Sequence, residues 1–368
     1  MLAILRSQQL ETDSRLQKYI KILDDENNEY IVFDWLRNEK FIKSKLNPNK
    51  VSYRRKSESG RGKKNSLMII SWNIFLLANL IKNIRKLTAI HAIDLDTFIP
   101  AFIVAKIFGI RLIAEVYDKY SDSRPLPKAI CNIADFIEFF ILKNAKSIIL
   151  PDTCRINQLA LPEEIDKKIF IIENVPNASL IEYKKHAKIN RKIKLSYVGI
   201  LEEKHRGIED LIKSVSKSDN FELIIAGDGS LRSYIISAAA LNANIKYIGP
   251  VKPDEALAVM SSSDIIVGLY YRTIKNHYFA SPNKYYEHLL LGRPLLTTKN
   301  TPPGVKVTEY NTGFAIEEGE ASLDWFLEEV TEKRILLCGE NARTLWEKVY
   351  KNYHEHIRNS YIKAISIK

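Results

Sequence analysis

FASPNKYYEHLLLGRPLL, residues Phe279–Leu296, compresses four signals into one short stretch. A Ser-Pro turn leads into an Asn-Lys pair. An apolar helix follows, with a single acid, Glu287, in its early turns. Gly292-Arg293-Pro294 then stops the helix, and an apolar strand begins. The first N–H groups of a helix lack intrahelical partners and sit at the positive end of its dipole, so they attract anions. The stretch therefore reads as a place where a phosphate meets backbone and a carboxylate meets a polyol.

Upstream, two further turns share this character. YVGILEEKHRGIEDLI puts Gly199 at a strand end, with Lys204 and Arg206 just ahead of a helix. LIIAGDGSLRSYI puts Gly227 and Gly229 in a tight strand-to-helix turn. Small residues there let a phosphate approach the backbone closely. Each turn alone is a weak signal, since a G-x-G after a strand is usually only a turn. No G-x-x-x-x-G-K-[ST] and no complete G-x-G-x-x-G occurs, which argues against a P-loop and against ordinary dinucleotide binding.

These turns sit in an alternating series of strands and helices: IKLSYVG, RGIEDLIKSVSKS, FELIIAG, SLRSYIISAAALN, IKYIG, PDEALAVMSSS, DIIVGLY, the opening helix, PLLTT and GFAIE. A first series precedes it. LAILRS and EYIVFDWL read as strands around the helix DSRLQKYIKIL, which Asp13 or Ser14 can cap. AIHAID, RLIAEVY and KSIILP are strands, and FIPAFIVAKIFG and AICNIADFIEFFILKNA are helices. SLMIISWNIFLLANLIKNIRKL carries Trp72, Phe75, Leu76, Leu80 and Ile84 on one helical face. Strand-helix alternation implies parallel sheets covered on both sides. The 368 residues suit two such domains. The polar stretch Asn174–Arg191 reads as their linker. The expected division is 1–180, 181–340 and a terminal helix, 341–368, crossing back to the first domain with Trp346 and Tyr350 packed there. In doubly wound sheets, ligands bind at the carboxyl ends of the strands.

The ordered combination over residues 195–297 resembles the donor-binding domain of retaining glycosyltransferases of family 4. It comprises Gly199, Arg206-Gly207, Gly227-Asp228-Gly229, Gly249-Pro250-Val251, Ser281-Pro282-Asn283-Lys284, Glu287, Gly292 and Pro294. The resemblance implies the GT-B fold, with two Rossmann-like doubly wound α/β domains facing a central cleft. It implies a donor site formed by Gly199, Lys204, Arg206, Gly227, Gly229, Val251, Ser281, Asn283, Lys284 and Glu287. In it Arg206, with Lys204 or Lys284, faces the donor diphosphate, and Glu287 accepts hydrogen bonds from the ribose. Backbone at Ile248–Val251 meets the base. Many members carry a second acid eight residues before this glutamate; here Phe279 stands there.

The first half is similar, more loosely, to the family's acceptor domain. His91, Asp94 and Asp96 match its pattern, Ile93 and Tyr117 stand where histidines are common, and Asp118 takes the acidic place. Asp94 and Asp118 are the expected contacts to sugar or acceptor hydroxyls, with Arg206 and Lys284 as the other catalytic candidates. His91 reads equally as a satisfied, semi-buried histidine. The family generally uses no metal and no cofactor. The implied activity is retaining transfer of a sugar from a nucleotide diphosphate sugar to a lipid-linked glycan in cell-surface polysaccharide synthesis.

Composition bounds the alternatives. The three cysteines are scattered, which argues against a disulfide framework or a zinc site. His354 and His356, two apart on a helix, face different ways and share no metal. No stretch reaches the roughly 18 apolar residues needed to span a bilayer, so the chain is expected in the cytoplasm, peripheral on the inner face of the plasma membrane. Net charge is +11, and Arg37–Lys64 holds eleven basic residues against two acids. That run, with the Trp72–Ile84 face, points to an anionic membrane surface, and core is the other reading of that face. No nucleic-acid-binding module accompanies it, so nucleic acid is not expected as a partner. A non-catalytic scaffold of the same fold, or a basic nucleic-acid binder, is the alternative.

Overall fold

The computed structural model describes residues 1–37, 49–57, 63–124, 126–177, 183–186 and 188–366, with backbone only for 63–66. Most of the basic run therefore lies outside the described residues. The chain divides into two compact units, Met1–Glu173 with Glu355–Lys368, and Asn174–His354. The first break falls a few residues before the expected 180. The second lies well past 340.

Unit 1 begins β1 (Leu2–Arg6), α1 (Ser14–Asp25), β2 (Tyr30–Leu36), β3 (Lys50–Arg54) and α2 (Lys63–Asn83). It continues β4 (Ala89–Ile93), α3 (Leu95–Phe108), β5 (Arg111–Glu115), α4 (Lys128–Asn144), β6 (Ser147–Leu150), α5 (Cys154–Gln158) and β7 (Ile169–Ile171). Asp13 caps α1 by accepting from the Leu16 N–H at 2.9 Å. The strands form one sheet in the order β3-β2-β1-β4-β5-β6-β7, parallel throughout. Strand order reverses at β1/β4, the switch point of a doubly wound sheet.

The Trp72 face of α2 is core. Trp72, Leu76 and Leu80 are fully buried, and Trp72 lies between Trp35 (centroids 5.7 Å apart) and Phe75 (5.6 Å). This corrects the expectation that this face docks on a membrane. The helix is apolar nearly all round, so its periodicity could not say which side faces in. Against the expectation that no stretch could span, Leu67–Lys86 is long and apolar enough to cross a bilayer.

Unit 2 runs β8 (Ile193–Val198), α6 (Ile208–Ser216), β9 (Phe221–Ala226), α7 (Arg232–Leu241), β10 (Ile245–Tyr247), α8 (Pro253–Ser261) and β11 (Ile265–Gly268). Then come α9 (Asn283–Leu291), β12 (Leu295–Thr298), α10 (Pro302–Glu309), β13 (Gly313–Ile316), α11 (Glu320–Glu329) and α12 (Glu332–Leu345). Its sheet has the order β10-β9-β8-β11-β12-β13, again parallel, with the switch point at β8/β11. A π-helical turn, Trp346–Tyr350, leads to α13 (Tyr353–Ser366).

Trp346 and Tyr350 were expected on unit 1. They belong to the core of unit 2, where Tyr350 meets Tyr286 edge-on at 5.5 Å. The residues that join unit 1 come later. Tyr361, fully buried, stacks on Tyr19 at 4.0 Å and 6°, and its hydroxyl lies 3.2 Å from His91 Nδ1.

Candidate functional site

The carboxyl ends of β8, β9 and β11 and the start of α9 surround a cavity of about 490 Å³ at the switch point of unit 2. Its shape depends on bare backbone. A Cβ on Gly227, which has φ +139°, would lie 1.8 Å from the Gly199 carbonyl oxygen. Hydrogen bonds hold the two strand ends in place: Gly199 N–H donates to Ala226 O (3.0 Å) and Gly227 N–H to Gly249 O (2.9 Å). Gly229 is similarly closed, because its Cβ would meet Leu201 O at 2.4 Å. Only glycine fits such approaches.

Pro282 is the N-cap residue of α9 and makes no side-chain cap hydrogen bond. Asn283, Lys284 and Glu287 all line the cavity. Asn283 and Glu287 are four apart, so they share a helix face. The Lys284 ammonium donates to the Val198 carbonyl and lies 4.9 Å from the Tyr197 ring centroid. A Cβ on Gly199 would come within 3.1 Å of it. Burial pushes the Lys284 pKa down to about 8, Glu287 works against this, and Arg206 adds to it. The lysine thus sits at the margin of losing its proton, and an anion in the cavity would hold it charged.

Arg206 does not itself line the cavity, but its guanidinium lies 5.3 Å from the ring of Tyr270, which does. Its Nε is 3.4 Å from Glu202. Burial lowers the Arg206 pKa, yet Tyr270, Tyr197 and Glu202 carry it above its ordinary value. Burial raises the Tyr197 phenol to about 12 and the Tyr270 phenol further, so both stay protonated. His277 meets Tyr270 edge-on at 5.7 Å. Burial first, and then Arg206, lower its pKa to about 4, so it is neutral at pH 7.

Of the sequence candidates, Gly199, Gly227, Val251, Asn283, Lys284 and Glu287 line this one cavity. Gly229 shapes the turn behind it. Ser281 contributes its carbonyl to Asn174 Nδ2 (2.8 Å). Lys204 is exposed, has φ +64°, and is not among the lining residues. Met260 and Tyr270 line the cavity without having been singled out. Tyr270 had a signal, because it stands just past the carboxyl end of β11, where ligands bind such sheets.

The switch point of unit 1 is packed with charge. Asp94 has φ +63° at the start of α3, but its carboxylate caps no helix. It accepts from Arg6 (2.5 Å) and from the Tyr117 N–H (2.8 Å). Burial raises its pKa to about 6 against the pull of Arg6. Arg6 also holds Asp13 at 2.7 Å and lies over the Tyr117 ring at 4.2 Å. Asp96 is buried and accepts from Ser7 and Arg124. Asp118 is more open: its side chain is 55% exposed and takes Arg155 Nη2 at 2.8 Å. His91 is fully buried, bonded to Glu115 at 2.9 Å and to Tyr361. That is the satisfied-histidine alternative. Among the described residues no group of three or more His, Cys, Asp or Glu side chains is placed to hold a metal ion.

Residues 179–344, which fall within unit 2, match the family model described as glycosyl transferases group 1. Among solved structures the chain resembles Anabaena HepE in complex with UDP and glucose, at TM-score 0.72 and 14% identity over 100% of this chain and 99% of that one. It also resembles WaaG, a glycosyltransferase involved in lipopolysaccharide biosynthesis, at TM-score 0.71 and 12% identity over all of both chains. Sucrose-phosphate synthase from Thermosynechococcus elongatus is similar at TM-score 0.70 and 13% identity, over 99% of this chain and 100% of that one. The fold is GT-B, with two parallel-sheet Rossmann-like domains. A search of curated proteins finds no match.

Proposed function

We propose that this protein is a retaining glycosyltransferase of family 4 that moves a sugar from a nucleotide diphosphate sugar to a hydroxyl of a lipid-linked glycan. The observation that carries the reading is the unit 2 cavity, where bare strand ends, the start of α9, Lys284 and Glu287 converge. The match of residues 179–344 supports it, as do the UDP and glucose bound by HepE.

In this reading the diphosphate lies against the α9 N-terminus and Lys284, with Arg206 behind Tyr270. These groups offset the charge that builds on the departing diphosphate, without a metal. Glu287 takes the ribose hydroxyls, since a carboxylate accepts well from two neighbouring O–H groups. Pro250 and Val251 border the base. Asp118, the more open of the two unit 1 acids, is the proposed contact to acceptor hydroxyls, and Asp94 holds the loop at Tyr117 in place. The setting is cytoplasmic synthesis of cell-surface polysaccharide, with the protein peripheral on the membrane. The role of WaaG in lipopolysaccharide biosynthesis supports that setting.

The test is thermal stability against UDP, GDP, ADP, CDP and TDP, for wild type and Glu287→Ala. A ligand at 100 times its Kd adds about 2.7 kcal/mol. One nucleotide is expected to raise the Tm of the wild type and not of the variant. Equal shifts in both proteins would remove Glu287 from the donor site, and no shift with any nucleotide would remove the donor site itself.

A further inference from the structure

Tyr270 lines the unit 2 cavity, yet it is only 6% exposed. Its surroundings fix the ring. Its own N–H donates to Thr298 Oγ1, at the end of β12, at 2.9 Å. His277, on the turn Lys275–Phe279, meets the ring edge-on at 5.7 Å. That histidine is itself tied down, since its Nδ1 donates to the Tyr271 carbonyl at 2.6 Å. Bare backbone at Gly268 makes the room: a Cβ there would lie 3.5 Å from Tyr270 Cε2 and 3.0 Å from Lys284 Cδ. The Lys284 stem therefore runs beside the Tyr270 ring.

The hydroxyl at the end of that ring is unengaged. Among the described residues, Tyr270 Oη makes no hydrogen bond. The neighbouring phenols differ: Tyr197 donates to Ile200 O (2.8 Å), Tyr247 to Gly227 O (2.9 Å) and Tyr271 to Asp210 (2.7 Å). Nor is Tyr270 Oη sealed in the core. The enclosed polar atoms without a hydrogen bond include Trp72 Nε1 and His288 Nε2 but not Tyr270 Oη, so it stays open to the cavity that its residue lines. A phenol this deep in the protein normally finds an acceptor, because leaving its O–H unpaired is costly. Here the acceptor must come with a ligand.

The surrounding charge says which acceptor. Burial keeps the proton on Tyr270 against the pull of Arg206, so the phenol has a hydrogen to give. The Arg206 guanidinium lies 5.3 Å from the ring centroid, and the Lys284 stem runs along the ring edge. Two cations beside one O–H favour an anionic oxygen as its partner. Arg206 is not a lining residue, so Tyr270 is the group through which it meets the cavity. We infer that the Tyr270 hydroxyl is a further contact of the donor site: it donates a hydrogen bond to the diphosphate, and Arg206 acts on the diphosphate through it. Arg206 is then a positioning residue, which holds the ring and draws electron density from it, strengthening the O–H as a donor. The inference deepens the proposed function and rests on it.

The experiment is calorimetric titration at neutral pH of UDP, GDP, ADP, CDP and TDP into wild type, Tyr270→Phe, Arg206→Gln and the double variant, with the Tm of each free protein as a second readout. Tyr270→Phe keeps the ring and removes a hydroxyl that is unengaged in the free protein, so its Tm should match or exceed that of wild type. For the nucleotide that wild type binds, Tyr270→Phe should bind about tenfold more weakly or worse, the loss of a hydrogen bond to a charged group. Arg206→Gln should also weaken binding, but by much less in the Tyr270→Phe background, because the two residues act as one unit. Tyr270→Phe that binds as tightly as wild type overturns the inference. So does a drop of several degrees in its Tm, which would give the hydroxyl a structural role. Penalties that simply add in the double variant overturn the coupling and give Arg206 a contact of its own. Wild type that binds none of the nucleotides overturns the donor-site reading itself, and this inference with it, whereas the other failures leave that reading standing.

Discussion

Lys284 makes the donor-site reading quantitative through pH. Its ammonium is boxed in by Tyr197, Gly199 and the Val198 carbonyl, and burial lowers its pKa to about 8. A diphosphate binds the charged form. With a free-state pKa of about 8, the charged fraction falls from about 0.9 at pH 7 to about 0.1 at pH 9, so affinity should drop about tenfold, or about 1.4 kcal/mol. Starting at pH 7 keeps clear of the ligand's own ionisation, because the second phosphate pKa is about 6. The sign for stability is opposite. The folded pKa lies below the unfolded value, so between about 8 and 10.5 the unfolded chain binds more protons, and the free protein gains stability as pH rises through that window. Calorimetric titration with the nucleotide chosen by the thermal screen, from pH 7 to 9.5, reads the first effect. Lys284→Met should bind more weakly at pH 7 and show a flat profile. A flat wild-type profile, or a tenfold fall that persists in the methionine variant, refutes the argument that Lys284 meets the diphosphate.

Two further predictions concern the frame. Gly227→Ala places a Cβ 1.8 Å from Gly199 O, where real contacts keep at least 3.0 Å, at a φ that L residues avoid. Losing the Gly199 and Gly227 hydrogen bonds and adding left-handed strain should cost on the order of 3 kcal/mol; urea unfolding with a loss under about 1 kcal/mol would show that the turn can open. Trp72→Ala should destabilise by about 3–5 kcal/mol and Ile74→Ala by no more than about 0.5, and similar losses for both would mean that the two faces of α2 are assigned wrongly.

How much was legible depended on sequence distance. The Ser281–Glu287 turn and helix, the glycine strand ends and the strand-helix alternation are local patterns, and each reads from a few consecutive residues. Short elements escaped: β3 sits inside the basic run, β7 is three residues long, and α10 begins Pro302-Pro303-Gly304, a composition that reads as loop. The charge cluster of unit 1 escaped for another reason, since Arg6 and Asp94 are 88 residues apart and no spacing rule connects them.

The sequence by itself determined the two α/β domains and the glycine turns and α9 residues of the unit 2 cavity, because backbone conformation and helix ends are set by neighbours in the chain. Tertiary structure alone decided three things: which face of α2 is core, that Tyr270 lines the cavity, and that Trp346 and Tyr350 belong to the core of unit 2 while Tyr361 reaches Tyr19 and His91. A helix that is apolar all round, or an aromatic residue at a strand end, has several burials open to it. The choice among them is made by the partners that long-range packing delivers.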